Sequence, residues 1–246
     1  MEAKPSNVPM ANSAQGRIVV SIGCRLVRLE ALILDFDDTL IRMTAARWSV
    51  FEEALRSFGA TKNSLAKMNE LKGGAFSALV GAALPDVALS EFLPAYAQLL
   101  SVDYLELCSG VVALLDWTDA MGVPTVVLSS SSRMLIERDL ELAGIGDKIS
   151  AVFGYEDVPA VKPNPLAVRA VLESPSLARV RADQVLMIGD SLADAAAARG
   201  NVPFVAVLSG QTSRAAFEVA GVPAAAIVES LHELTTRLDD QRLANQ

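Results

Sequence analysis

The sequence predicts an α/β protein: a Rossmann-like parallel sheet with helices on both faces, interrupted once by a small inserted helical domain. Three observations predict it. From residue 109 onward, short apolar runs alternate with stretches of helical periodicity, the rhythm of strand–helix–strand units. Leu29–Leu34 is an apolar run but for Glu30, as suits a strand buried on both faces, and it stops at Asp35-Phe36-Asp37-Asp38. Between about residues 44 and 107 the period is helical and no convincing strand pattern occurs. The 246 residues, 52% hydrophobic and 20% charged, suffice for one large or two unequal domains with a buried core.

Residues 1 to 16 are rich in Pro, Ser, Asn and Ala and read as a tail; a short β-prone stretch, 17–22, comes next. After the strand at 29–34, Trp48, Phe51, Ala54, Leu55 and Phe58 recur at helical spacing up to Gly59, and further helices are expected at 63–72, 75–83 and 89–106. Gly73-Gly74 and Pro85 separate them. Then come a helix at 111–121, a strand at 125–128, a helix at 133–143 closed by Gly144, and a strand at 149–153. A helix at 165–172 has Asn164 as a cap and Pro165 at its first position. A strand at 185–188, a helix at 193–199 and a strand at 204–207 complete the alternation, and a C-terminal helix carries His232, the only histidine, on an exposed face. The division that results is a tail and extra segment at 1–28, an α/β core at 29–43 and 109–246, and a helical cap at 44–108.

Lys+Arg 21 against Asp+Glu 29 leaves a net charge of −8, a field that repels phosphate backbones and argues against nucleic-acid binding. A small anionic substrate is still admissible, because a metal or a few cations reverse the sign within one pocket. Cys24 and Cys108 have no metal-ligand spacing and are expected to be small buried hydrophobes of a reducing compartment. No apolar run reaches membrane-helix length and the N-terminal stretch lacks a secretory pattern, so the expectation is a cytoplasmic protein without a membrane partner.

Ligands of an open α/β sheet bind outside the carboxyl ends of its strands. The residues at those ends are therefore informative: Asp35-Phe36-Asp37-Asp38-Thr39, then Ser129-Ser130-Ser131-Ser132, then Lys162-Pro163-Asn164-Pro165, then Gly189-Asp190-Ser191-Leu192-Ala193-Asp194. Asp35, Asp37, Asp190 and Asp194 at one sheet edge would crowd negative charges that persist only beside a cation or with raised pKa values. Hard oxygen ligands with room for water suit Mg2+. A serine and a lysine supply a donor and a charge for a tetrahedral anion, and a carboxylate beside a metal can attack phosphorus.

These four motifs, in this order, resemble those of haloacid dehalogenase-superfamily hydrolases, of the branch with a helical cap between the first two motifs, similar to phosphoglycolate phosphatases and β-phosphoglucomutases. The resemblance implies that Asp35 is the nucleophile. It makes Asp37 the acid that protonates the leaving oxygen and the base that later activates water. Mg2+ would be held by the Asp35 carboxylate, the Asp37 carbonyl and Asp190, with Asp194 and Ser191 acting mainly from behind. Ser129 and Lys162 would bind phosphoryl oxygens, with Ser130 an alternative to Ser129. The position after Asp37, often Gly in the family, is Asp38 here. Lys72-Gly73 resembles the specificity loop of sugar-phosphate members, which makes Lys72 a candidate substrate contact. The arginine that the mutases carry a few residues later is absent, Ala75, Phe76 and Ser77 standing there, which puts a mutase in doubt.

Plainer readings stand beside these. Ser191 and Asp194 form a Ser-x-x-Asp capping box. The serine run suits a turn, and Trp48, Phe51 and Phe58 suit a cap core. Arg47, like Lys72, is a cap residue placed to face the pocket. The expected function is a Mg2+-dependent phosphatase of a small phosphorylated metabolite, the chain acting as a monomer or homodimer. A phosphomutase is the alternative, and a phospho-accepting signalling module is disfavoured by the helical domain between Asp35 and Ser129.

Overall fold

The computed structural model describes residues 19–22, 25–72 and 74–244. The expectations for the tail, for Cys24 and for the break at Gly73 lie outside them. The chain opens with an antiparallel hairpin, β1 (Val19–Ile22) and β2 (Arg25–Arg28), in which Val19 faces Arg28. Only the first of these two strands has a counterpart in the sequence expectation. β3 (Ala31–Leu34) is next, then α1 (Ala45–Ser57), α2 (Lys62–Asn69), α3 (Phe76–Ala83) and α4 (Leu89–Leu99). The alternating half comprises α5 (Val111–Met121), β4 (Thr125–Leu128), α6 (Arg133–Leu142), β5 (Ala151–Phe153) and α7 (Leu166–Glu173). It continues through β6 (Val185–Gly189), α8 (Leu192–Ala198), β7 (Phe204–Val207), α9 (Arg214–Val219), β8 (Ile227–Val228) and α10 (Leu231–Ala244).

Six strands form one parallel sheet in the order β5-β4-β3-β6-β7-β8. β3 lies inside it because all four of its residues are apolar and can be buried on both sides. Its pleat sends alternate residues to two different cores. Leu32 and Leu34, with Ile188 of β6, pack beneath α5 and α10, whereas Ala31 and Ile33, with Met187, pack beneath α7 and α8. Each such side chain contributes on the order of 1.5–3 kcal/mol by burial.

The helices α1 to α4 gather a separate cluster in which Phe51, Phe76, Phe92 and Tyr96 stack with ring centroids 5.2–6.4 Å apart. Leu135 of α6 joins that cluster from the other side. The helix expected over 89–106 ends at Leu99. Beyond it the chain is drawn into extended pairing with the segment after β3: the Arg42 N–H donates to the Glu106 carbonyl (2.8 Å) and the Cys108 N–H to the Leu40 carbonyl (2.9 Å). These tertiary bonds outweigh the local helical period and bring both ends of the helical segment together. Among the described residues, no helix is long and apolar enough to cross a membrane.

Candidate active site

The sheet's register sets the site. Leu34 pairs with Val127 on one side and Ile188 on the other, so Asp35 leaves the sheet level with Leu128 and Gly189, the last residues of β4 and β6. The Asp35 N–H still donates to the Ile188 carbonyl (2.9 Å), which anchors this residue to the strand beside the one it has just left. The chain then turns tightly, the Phe36 carbonyl accepting from the N–H groups of Leu40 (2.8 Å) and Ile41 (3.1 Å). That turn needs a left-handed residue, and Asp38 supplies it with φ 59°. Its carboxylate accepts from the Met43 N–H (2.8 Å). A local side-chain bond of this kind is what lets Asp occupy a glycine-like conformation.

Asp35, Thr39, Lys162, Asp190 and Asp194 are all buried. The Lys162 ammonium donates to Asp35 Oδ1 and, at 2.6 Å, to Asp194 Oδ1. The Thr39 hydroxyl donates to Asp35 Oδ2 (3.0 Å) and also approaches Asp190 Oδ1 (3.4 Å). Asp194 Oδ2 takes the Ser191 hydroxyl (2.5 Å) and N–H (3.0 Å) in a capping box at the start of α8, so both its oxygens are engaged. Oxygens of Asp35, Asp190 and Asp194 lie within 4.8 Å of one another, a set that could hold an ion.

Burial pushes the Asp35 carboxyl up to about 7, with Asp194 adding to the rise and Lys162 opposing it. Burial, then the charges of Asp35 and Asp194, push Asp190 up to about 9. Burial works against the Lys162 charge, but Asp194 and Asp35 outweigh it and hold the ammonium protonated. One lysine among three buried carboxylates leaves the cluster short of positive charge.

Two glycines make this crowding possible. A Cβ on Gly210 would sit 1.8 Å from Asp190 Oδ2, and one on Gly189 would sit 2.5 Å from Asp194 Cγ. Gly210 has no signal in the sequence, because it lies beyond β7 in a loop with no recognisable motif.

Asp37 stands apart from the carboxylate cluster. Its Oδ2 accepts from the Ser131 hydroxyl at 2.6 Å. The sequence alone does not single out Ser131; only its place in a serine run hints at a role. Ser129 is buried, and its Oγ accepts the Ser131 N–H (3.0 Å), leaving its own hydroxyl proton to donate elsewhere. Ser130 contributes its carbonyl to the Phe76 N–H at the start of α3 (3.2 Å).

A cavity of about 1030 Å³ opens over this edge, lined by Asp35, Ser129, Lys162 and Asp190 at the strand ends and by Arg47, Trp48, Phe76 and Tyr96 of the helical segment. Trp48 and Phe51 thus both pack together, ring centroids 5.5 Å apart, and face the cavity. Lys72 also lines it, with its ammonium 4.3 Å from the Trp48 ring centroid. His232 is exposed, as expected.

The family model described as haloacid dehalogenase-like hydrolase matches residues 32–207. Phosphoglycolate phosphatase 1 of Pseudomonas aeruginosa is 27% identical over 188 residues, covering 71% of this chain and 66% of that protein, just under two thirds of its length. The phosphoglycolate phosphatase of Rhodobacter capsulatus is 30% identical over 195 residues, 73% of this chain and 84% of that protein. The crystal structure of CbbY from Rhodobacter sphaeroides in complex with phosphate superposes with a TM-score of 0.68 at 18% identity, covering 86% of this chain and 99% of that one, a likeness of fold. With the family model spanning all four strand-end motifs and the same sheet beneath them, the chain belongs to the haloacid dehalogenase-like hydrolases.

Proposed function

We propose that this protein is a Mg2+-dependent phosphatase that hydrolyses a small phosphomonoester, a sugar phosphate or a phosphoglycolate-like acid, through an aspartyl-phosphate on Asp35. The observation that carries this reading is that a buried carboxylate, a buried ammonium and a buried hydroxyl, from Asp35, Lys162 and Ser129, line one cavity. That set offers a nucleophile together with donors for the oxygens of a tetrahedral anion.

The donor set suits the ion. Hard oxygens within 4.8 Å of one another, short of positive charge, match what Mg2+ requires. The Asp35 and Asp190 carboxylates and the Asp37 main-chain carbonyl are the proposed ligands. Asp194, engaged by Ser191 and Lys162, holds that lysine in place instead. When bound, Mg2+ supplies positive charge to offset the carboxylates and the phosphoryl oxygens.

The remaining steps belong to side chains. The Asp35 carboxylate forms a bond to phosphorus as the ester P–O bond breaks, and Asp37 gives its proton to the departing oxygen. Lys162 and Ser129 hold the phosphoryl oxygens. Asp37, now a carboxylate positioned by Ser131, takes a proton from the water that attacks the aspartyl-phosphate. The helical segment 44–108 acts as a cap over the core at 29–43 and 109–246, limiting access to small substrates. A reducing cytoplasm suits the free thiol of Cys108, which burial pushes up to about 12.

Phosphate release from a generic small ester tests this, comparing wild type with Asp35→Asn, with and without Mg2+. Mg2+-dependent turnover reduced at least about a thousandfold in the variant is expected. Undiminished turnover in Asp35→Asn, or phosphoryl transfer to an added sugar phosphate in place of water, would refute a hydrolase acting through Asp35.

A further inference from the structure

Arg47, a cation that the chemistry above does not use, lines the same cavity as the carboxylates. Arg47 sits in the first turn of α1, where the Thr44 hydroxyl accepts its N–H (3.1 Å), and only 3% of the residue is exposed. Its Nη2 donates to Asp139 of α6. Its Nε and Nη1, both buried, have no protein acceptor among the described residues. Buried polar groups are nearly always hydrogen-bonded, so two orphan donors on one guanidinium call for a partner.

Charge points the same way. Asp139 is shared, because Arg138 Nη1 lies 3.2 Å from its other oxygen. Two guanidiniums on one carboxylate leave an excess positive charge beside the cavity that Arg47 lines. Burial opposes the Arg47 charge, but Asp139, Tyr96 and Asp37 outweigh it and the group stays protonated. Phe51, Phe76 and Tyr96 line the same cavity, and of the acids that line it, Asp35, Asp37, Asp38 and Asp190, none is hydrogen-bonded to Arg47.

We propose that Arg47 is the receptor for a second anionic group on the substrate, a carboxylate or second phosphate a few bonds from the transferred phosphoryl group, so that the substrate is an acidic phosphate ester and not one with an uncharged tail. The assignment rests on the phosphatase reading for its geometry: the phosphoryl end lies at Asp35 and Lys162, the anionic end at Arg47. Substrate binding would then complete the bonding of a residue that already joins α1 to α6.

Binding of non-hydrolysable phosphonates to the Mg2+-loaded full chain tests it without turnover. Calorimetric titration compares 3-phosphonopropionate with propylphosphonate in wild type, in Arg47→Lys and in the paired variant Arg47→Met/Asp139→Asn, which removes both buried charges together. Wild type should prefer the carboxylated ligand by on the order of 10- to 100-fold, the range of one charge-assisted hydrogen-bonded contact. The preference should fall several-fold in Arg47→Lys and vanish in the paired variant. If Arg47 serves only to join α1 to α6, both ligands weaken together and the preference survives, which overturns the proposal. Absence of preference in wild type, or failure of both ligands to bind, overturns it equally. Should the paired variant not fold, an undiminished preference in Arg47→Lys would be the refuting result. A wild-type preference with no phosphate released from any ester would support Arg47 as the anion receptor and overturn the phosphatase reading alone.

Discussion

Asp37 depends on a serine just beyond the end of β4. The Ser131 hydroxyl donates to it at 2.6 Å while the Ser131 N–H reaches back to Ser129, so one short turn fixes both the proposed proton carrier and the hydroxyl proposed to bind phosphate. Ser131→Ala should lower kcat on the order of 10-fold with little change in KM, because the carboxylate is still present but no longer held in one orientation. Steady-state kinetics on a generic phosphate ester reads this directly, and a loss confined to KM would show that Ser131 acts on binding. Asp35 and Asp190 are legible in the sequence because each directly follows an apolar strand, and Lys162 because it stands in a Lys-Pro-Asn-Pro stretch after the loop beyond β5, all three carrying chemistry an apolar neighbourhood does not explain. Ser131 is not legible, since a run of four serines hides which hydroxyl points where, a matter of turn geometry and not of pattern. Gly210 is invisible for another reason: its role is the absence of a Cβ beside Asp190, and sequence shows no neighbours.

At the scale of elements, the buried strands are the most legible parts. Thr125–Leu128 and Phe204–Val207 fall where their apolar runs place them, because strands buried on both faces admit almost nothing else. β2 and β8 escape the pattern: four residues with arginine at each end, and two residues alone, carry too little periodicity to register. The helix expected over 89–106 is too long because the pairing of 106–108 with 40–42 is tertiary. The helical segment depends on its aromatic cluster, with Phe92 wholly buried among Phe51, Phe58, Phe76 and Tyr96. Phe92→Ala should cost about 3–5 kcal/mol of stability, the range for emptying a core aromatic site. Urea denaturation would measure it, and a cost below about 1 kcal/mol would mean that this cluster does not hold the segment together.

For the molecule as a whole, the carboxylate cluster makes stability depend on pH and on divalent cation. Asp35 and Asp190 titrate at about 7 and about 9 when folded, against an ordinary 3.8. The folded chain therefore binds more protons than the unfolded chain between the ordinary and the raised values, and its stability falls as pH rises through that window. Mg2+ at the cluster favours the ionised carboxylates, so its stabilising effect should grow with pH while protons are released. Melting curves with and without Mg2+ should show a larger rise in Tm at about pH 8 than at about pH 6. A shift that is constant or shrinks with pH would contradict a metal held by Asp35 and Asp190.

Transfer of the phosphoryl group to Asp35 is the central step of the proposed chemistry. Intact-mass and peptide analysis of the Asp37→Asn variant, after incubation with Mg2+ and an aryl phosphate whose leaving oxygen departs without a proton, reads that transfer without an intervening step. Lacking a base at position 37, the variant should retain its aspartyl-phosphate, and one phosphoryl group should map to Asp35. Phosphoryl groups mapping to another residue, or phosphate released with no phosphorylated protein at any time, would contradict a nucleophilic Asp35.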